Sequence, residues 1–411
     1  MPVIENSEKP GVFVALLVLL ATFYNAALAV INAHVLDLNF TSVAITELAI
    51  LLVLLLLIIR RGIYEEDLAP LIYLIITIFL AVYVSVINKQ IYPDYIRNIL
   101  IIFCFVTIGS WCSFSTINLV FKSVSVLIFL VLLMEIFFVD QYGDLFYPAK
   151  YFANTRGVEL FTVVDSKLFR NALGFEGRFT FGIIGHRSSS LFLEQVSLAN
   201  FSGVMMIYLL TLWKRFSPFE RLFYVSTITL ILLTNDTRTM LIFALISFIG
   251  YFIFPLLPRL FSLLVMPFIL LMGVLVFILK PDATGDNIPG RVVFTMRKFA
   301  DLDWPTQLGF SAEIASSLGD SGYIYVVVIG TIFSLVFLWL FVGLYPACDT
   351  PEERRFIHSL SVFVFMNMMI GGTAVFSIKI AALLWLLAGH MKFPDRKASA
   401  DNIKPTYARA Q

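Results

Sequence analysis

The sequence predicts an all-α fold, a polytopic membrane helix bundle. Hydrophobic residues make up 59% of the 411 residues and charged residues only 14%, whereas soluble proteins contain roughly half apolar and a quarter charged residues. A bilayer core of about 30 Å needs roughly 20 apolar residues per helix. Many runs in this chain meet or approach that length, so the sequence indicates an integral membrane protein.

Each apolar run is expected to form one transmembrane helix, because unpaired backbone groups are costly in lipid. A tight turn near "GSWCSFST" separates the fourth run from the fifth, and the seventh run is short. These features predict about 12 transmembrane helices. The runs are 11–33, 42–59, 68–87, 96–113, 117–139, 189–212, 219–234, 239–257, 260–279, 321–345, 356–374 and 376–391.

The distribution of lysine and arginine predicts the orientation of the bundle. With the N-terminus inside, the inner short loops and the tails hold most of the basic residues that lie outside the long loops. The outer short loops hold only Lys89, Arg97, Arg238 and Lys379. Both termini are therefore expected in the cytoplasm.

Two long outer segments divide the chain, and long segments can cross a membrane whatever their charge. Both contain too many aromatic and aliphatic residues for a solvated linker, so we expect them to be partly helical and folded onto the membrane surface. In the second, Val292, Val293 and Met296 share one helical face with Arg297 opposite, which predicts an amphipathic helix. The predicted segments are 1–139 with helices 1–5, 140–188 as the first long loop, 189–279 with helices 6–9, 280–320 as the second long loop, 321–391 with helices 10–12, and 392–411 as a cytoplasmic tail.

Composition also excludes several classes of function. A net charge of +1 gives no preference for nucleic acid. Three cysteines imply neither a disulfide framework nor a zinc site. We identify no cluster of histidine and aspartate on the outer loops that would hold a metal ion, so we expect no metal and no other cofactor.

Polar residues open the sixth run, "HRSSSLFLEQVSLANF". A helical step of 100° per residue places four of them within about 80° of each other. They are Arg187, Ser190, Glu194 and Ser197. A carboxylate roughly 10 Å deeper than Arg187 is a functional candidate. Alternatively, Glu194 pairs with an arginine of a neighbouring helix, and Arg187 marks the level of the lipid headgroups.

Two more arginines lie on the predicted outer face. Arg238 stands in "LLTNDTRTMLIF", where Asn235 and Asp236 are expected to cap the following helix. Arg291 stands in "PGRVVF". A turn contact for Arg238 and an interfacial anchor for Arg291 are the alternatives. Guanidinium groups match phosphate oxygens bidentately, so three arginines from separate outer segments predict a clamp for a pyrophosphate.

The order of these features resembles the O-antigen polymerase and O-antigen ligase superfamily, which includes Wzy-type polysaccharide polymerases. These are GT-C membrane glycosyltransferases that act on undecaprenyl-pyrophosphate-linked glycans. Three segments carry the resemblance: "RSSSLFLEQVSLANF", "LTNDTRTMLIFAL", and "GRVVFTMRKF" with the following "WPTQLGF" and "DSGYIYVVVIGTIF". Together they span about 185–345.

The resemblance implies roles for individual residues. Arg187, Arg238 and Arg291 occupy the positions that bind pyrophosphate in the family, and Arg297 and Ser190 are further candidates for substrate binding. The ligases carry a His-Asn or similar pair in the last motif, where this sequence has Gly319 and Asp320. That difference favours a polymerase over a ligase.

A general base would assist the acceptor hydroxyl. The candidates are Asp320, Glu194 and His186, and Asp320 ranks first. The alternative for Asp320 is a capping role at the start of the tenth predicted helix, and His186 alone would be an ordinary polar loop residue.

The resemblance implies a polymerase of a bacterial surface polysaccharide, either O-antigen or exopolysaccharide. It would work at the outer face of the inner membrane and transfer glycan from undecaprenyl pyrophosphate to a lipid-linked repeat unit. Implied partners are the lipid-linked oligosaccharide, membrane lipid, a chain-length regulator and a flippase of the same pathway. The alternatives are ligase-type transfer to another acceptor, and a lipid-linked oligosaccharide flippase or transporter. Charges at the outer face, with no two related halves, favour the enzyme.

Overall fold

Apolar runs form helices here because lipid offers the backbone no hydrogen-bond partner. The computed structural model describes residues 9–158, 166–173, 179–285, 287–317 and 321–392. Within these ranges every regular element is a helix, and one isolated antiparallel bridge joins Leu173 to His186. The fold is therefore all-α, as the sequence predicts.

The described ranges contain sixteen α-helices. A helix occupies each of the twelve apolar runs, and four more helices, α6, α7, α12 and α13, belong to the two long segments. In chain order the helices are α1 Lys9–His34, α2 Phe40–Arg61, α3 Leu68–Ile87, α4 Pro93–Trp111, α5 Phe114–Phe137, α6 Val139–Phe146, α7 Pro148–Arg156, α8 Gln195–Thr211, α9 Pro218–Asn235, α10 Arg238–Ile253, α11 Leu260–Leu279, α12 Ile288–Ala300, α13 Trp304–Gln307, α14 Gly322–Leu344, α15 Pro351–Ile370 and α16 Ile378–His390.

Eight helices of the described chain are long and apolar enough to cross a membrane: α1 to α5, α10, α11 and α14. The other four predicted spans differ in length or charge. Helices α8 and α16 are apolar but have only 17 and 13 residues. Helices α9 and α15 each carry charged residues in the first turn. The chain is thus a membrane protein, while the count of about 12 spans stays a prediction.

The short helix α16 lies at the centre of the bundle, and all its residues are buried. It packs against α4 with almost no side-chain volume between the two backbones. A Cβ atom on Gly109 of α4 would lie 2.1 Å from the carbonyl oxygen of Leu386, and one on Gly389 would lie 2.0 Å from that of Val106. Only glycine permits this approach. These contacts hold the C-terminal half of α16 tightly against α4.

Helices of the two long segments pack against the bundle. In the first, Tyr142, Phe146 and Tyr151 share a buried cluster with Ala26 and Ala29 of α1. The second contains the predicted amphipathic helix as α12. Val292, Val293 and Met296 are buried on one face of α12, and Arg297 is exposed on the other.

Candidate functional site

The residues before α8 do not form the helical polar stripe that the sequence predicts. Ser190–Phe192 forms a single 3-10 turn, and α8 begins only at Gln195. Ser190 and Leu193 have φ angles of 46° and 60°, in the left-handed region. The step of 100° per residue therefore does not apply between Arg187 and Glu194, and that prediction was wrong.

A buried carboxylate on another helix explains why the residues before α8 do not form an α-helix. Both oxygens of Glu135 in α5 accept a hydrogen bond from the main-chain N–H of Ser189 at 3.0 Å, and one accepts from the N–H of Ser190 at 2.6 Å. The hydroxyl of Ser189 donates to the same carboxylate at 3.1 Å. Glu135 is completely buried. These charge-assisted hydrogen bonds replace those that an α-helix would supply to the loop.

The same network determines where two candidate residues lie. The hydroxyl of Ser190 donates to the carbonyl of Ile128 at 2.9 Å, and Ser190 is fully buried. The Nε2 atom of His186 lies 3.6 Å from a carboxylate oxygen of Glu135. Ser190 and His186 thus face α5, and neither lines the two cavities described below.

The C-terminal end of α9 also binds the loop that precedes α8. The side-chain amide of Asn235 donates to the carbonyls of Ser188 and Gln195 at 2.6 and 2.8 Å. The Nε of Arg187 donates to the carbonyl of Asn235 at 2.7 Å. These bonds fix the Arg187 guanidinium against the end of α9.

Asn235 and Asp236 do not cap α10 as the sequence predicts. Asp236 ends α9 in a left-handed conformation, and Thr237 is the N-cap of α10. The carboxylate of Asp236 instead accepts from the main-chain N–H of Phe181 at 2.7 Å. Long-range partners therefore outcompete the local capping interaction at both residues.

Arg187, Arg238 and Arg291 line one cavity of about 100 Å³, called here the arginine cavity. All three side chains are half-buried. Arg238 is the first residue of α10, and Arg291 lies in the first turn of α12. Among the described residues, Asp236 is the fourth charged member of the lining. The structure thus brings together three arginines that are spread over about a hundred residues of sequence.

Contacts with the main chain and with an aromatic ring hold these guanidinium groups. Arg291 donates from Nη1 to the carbonyl of Ile370, at the end of α15, at 2.9 Å. The guanidinium carbon of Arg238 lies 5.6 Å from the centre of the Phe179 ring. The first turns of α10 and α12 add the partial positive charge of a helix N-terminus. The arginine cavity is consequently suited to an anion.

Arg297, a further predicted substrate-binding residue, lies outside the arginine cavity. It is exposed on α12 and donates to the carbonyl of Pro281 at 2.7 Å. Asp320, with the preceding Gly319, lies outside the described residues.

A second, larger cavity of about 340 Å³, called here the polar cavity, lies at the same end of the bundle. At that end α1 finishes, and α2, α4, α14 and α16 begin. The charged residues of its lining are Glu47, Asp94, Arg97, Arg156 and Lys379. Arg97 pairs with Glu47 at 3.1 Å and with Asp94 at 3.3 Å.

Glu194, just before α8, forms ion pairs with two residues of the polar cavity. Its carboxylate accepts from both terminal nitrogens of Arg156, at 2.9 and 3.4 Å, and pairs with Lys379 at 3.4 Å. The hydroxyl of Ser197 donates to it at 3.1 Å. Two cations and a hydroxyl stabilise the ionised form, which makes Glu194 a poor proton acceptor. The structure therefore supports the alternative in which Glu194 pairs with an arginine.

Sequence reasoning missed the charged residues that organise these cavities. Glu47, Glu135 and Lys379 each stand alone in an apolar run, as in "AITELAIL", "LLMEIFF" and "FSIKIAAL". An ionisable residue inside such a run is a functional candidate by default, and this signal could have found all three. Their partners could not be read from the sequence because they come from distant helices.

No protein-family model, no curated protein and no solved structure matches this chain. Among the residues that the structure describes, no three His, Cys, Asp or Glu side chains are grouped to hold a metal ion. The cavities and their lining residues are thus the observations on which a functional assignment rests.

Proposed function

We propose that this chain is a polymerase of a bacterial surface polysaccharide, O-antigen or exopolysaccharide, at the outer face of the inner membrane. The observation that supports the proposal is the arginine cavity. Arg187, Arg238 and Arg291 come from three segments of the chain and line a single space. Planar guanidinium groups in such an arrangement suit the oxygens of a pyrophosphate.

In the proposed reaction, the leaving group gains negative charge and is the group that most needs electrostatic stabilisation. The acceptor hydroxyl of a lipid-linked repeat unit forms a bond to the anomeric carbon of the donor glycan. The bond between that carbon and the pyrophosphate oxygen breaks, and negative charge develops on undecaprenyl pyrophosphate. Arginines that are already held by Asn235 and Ile370 carbonyls can stabilise this charge without rearranging.

The acceptor hydroxyl must also lose its proton. We keep Asp320 as the proposed base, the first-ranked of the three candidates that the sequence offers. Glu194 has a different proposed role. Its ion pairs with Arg156 and Lys379 hold the start of α8 between the two cavities.

The proposed topology places the cavities on the periplasmic side of the inner membrane. Basic residues of the opposite end, such as Arg61, Arg215 and Arg354, mark the cytoplasmic side by the positive-inside rule. Both termini then lie in the cytoplasm, and helices α8, α9, α15 and α16 would complete a bundle of about 12 membrane helices.

Alanine substitutions in the arginine cavity test the proposal. In a strain that lacks the gene, complementation with Arg238→Ala or Arg291→Ala is expected to lower the polymer on a gel roughly 100-fold, because each removes a charge that stabilises the leaving group. Arg297→Ala is the matched control, since this arginine is exposed on α12 and lies outside the cavity. It is expected to retain the polymer.

The outcomes distinguish the proposed polymerase from its rivals. A polymerase defect leaves single repeat units displayed outside the cell, while units trapped inside indicate a flippase. Loss of transfer of a complete polymer to another acceptor indicates a ligase. Full polymer from Arg238→Ala and Arg291→Ala at normal protein levels would refute the role of the arginine cavity.

A further inference from the structure

The polar cavity has the size and the lining residues of a ligand site. It is distinct from the arginine cavity, which is proposed to hold the pyrophosphate. Its volume of about 340 Å³ lies within the range of small-molecule sites, roughly 300–1,000 Å³. It is more than three times as large as the arginine cavity. Its lining combines aromatic side chains with side chains that carry amide, carboxylate and hydroxyl groups.

Charge distinguishes the two cavities. The charged residues that the structure describes in the lining of the arginine cavity are three arginines and Asp236. In the polar cavity, Glu47 and Asp94 face Arg97, while Arg156 and Lys379 share the carboxylate of Glu194 just beyond the lining. Among the described residues, three cations are therefore matched by three anions, and this balance suits an uncharged polar ligand better than a phosphate.

The aromatic and amide groups indicate the chemistry of that ligand. Phe40, Phe152 and Phe376 are the phenylalanines of the described lining. The amide of Asn98 donates to the Tyr325 hydroxyl at 3.0 Å, so polar groups of α4 and α14 meet beside them. A pyranose ring has C–H groups that pack on aromatic faces and a rim of hydroxyls that bind amides and carboxylates.

The two cavities are also neighbours in the fold, because they share two segments. The end of α15 lines the arginine cavity through Ile370 and Gly371, and the following residues Thr373 and Phe376 line the polar cavity. Glu194 pairs with Lys379 of the polar cavity, and the first turns of α8 after it line the arginine cavity. Ligands of the two cavities would thus lie close to each other.

We propose that the polar cavity binds neutral sugar residues of the lipid-linked substrate beside the pyrophosphate held in the arginine cavity. This inference rests on the proposed function, which it extends by assigning a carbohydrate site. Phe40 packs on the sugar ring, and Asp94 accepts hydrogen bonds from its hydroxyls. Both residues are exposed at the cavity rim, so their replacement leaves the bundle core intact.

Binding to the purified full-length protein in nanodiscs tests this assignment. The first probe is the repeat-unit oligosaccharide released from its carrier by mild acid, which has no pyrophosphate. The second is undecaprenyl pyrophosphate without sugar. Phe40→Ala and Asp94→Asn are each expected to weaken oligosaccharide binding roughly tenfold and to leave binding of the second probe unchanged. Arg238→Ala is expected to show the reverse pattern.

Phe79→Ala is the matched control for Phe40→Ala, because Phe79 is an exposed phenylalanine of α3 that does not line the cavity. Oligosaccharide binding that both cavity variants retain, or that Phe79→Ala weakens equally, would overturn the carbohydrate site. So would a wild-type protein that does not bind the oligosaccharide. Failure of the proposed function gives a different result, namely pyrophosphate binding that does not depend on Arg238.

Discussion

Replacing Glu135 by alanine is expected to destabilise the protein by several kcal/mol and to abolish polymer formation. The substitution leaves the N–H groups of Ser189 and Ser190 and the hydroxyl of Ser189 without their acceptor. Each buried donor left unpaired costs roughly 1–3 kcal/mol. The loop that carries Arg187 would then lose most of its hydrogen bonds to α5, keeping the one from the Ser190 hydroxyl to Ile128, so that the arginine cavity is no longer correctly assembled.

Two further variants of the same kind make this prediction specific. Glu135→Gln keeps one carbonyl acceptor and is expected to lose less stability than alanine. Glu65→Ala removes an exposed glutamate at the opposite end of the bundle and is expected to behave as wild type. The measurement is thermal unfolding in detergent, followed by size-exclusion chromatography. Wild-type unfolding and full polymer from Glu135→Ala would contradict the anchoring role.

The second large effect is expected from Glu194→Ala. Lys379 has only 3% of its side chain exposed, and this substitution removes its partner carboxylate. Breaking a buried ion pair on one side costs roughly 3–5 kcal/mol, because the remaining charge stays uncompensated. Arg156 has 42% of its side chain exposed, so it can reach solvent more easily. We therefore expect most of the loss to come from Lys379.

A double variant separates this explanation from a catalytic one. Glu194→Gln with Lys379→Met removes both buried charges and is expected to recover much of the lost thermal stability. If Glu194 were instead the base, Glu194→Gln alone would abolish polymer while unfolding at the wild-type temperature. Equal instability of Glu194→Ala and the double variant would show that the unpaired lysine is not the cause.

The helix positions were predictable because lipid imposes a simple local rule. Runs such as 42–59 and 68–87 must form helices, and α2 and α3 occupy them with differences of a few residues at their ends. The number of membrane spans is harder to predict from the sequence than the positions of the helices. Helix α16 is short and enclosed by protein, so its apolar composition reflects burial in the bundle as much as contact with lipid.

The candidate site was predictable only in part, and the reason is the range of the interactions. Arg187, Arg238 and Arg291 could be grouped from sequence because each lies in a segment predicted to face outward. Their positioning could not be predicted, since Glu135 lies more than fifty residues before the loop that it binds. Helical periodicity cannot include such a partner, and it therefore gave the wrong geometry for Ser190.

The polar cavity shows the same limit more strongly. Lys379 is paired with Glu194, which lies 185 positions earlier in the chain. Each residue could have been recognised as unusual in its apolar run, but nothing local indicates that they meet. Arg156 completes the group from a helix of the first long segment. An isolated charged residue in an apolar run is thus best interpreted as one member of an ion pair whose partner lies elsewhere in the sequence.

The structure of the protein with bound undecaprenyl pyrophosphate, determined by electron cryomicroscopy in nanodiscs, tests the central claim most directly. We predict density for the diphosphate in the arginine cavity, with its oxygens within about 2.7–3.2 Å of guanidinium nitrogens of Arg187, Arg238 and Arg291. Diphosphate density at another place, or the three arginines on separate faces of the protein, would contradict the proposed function.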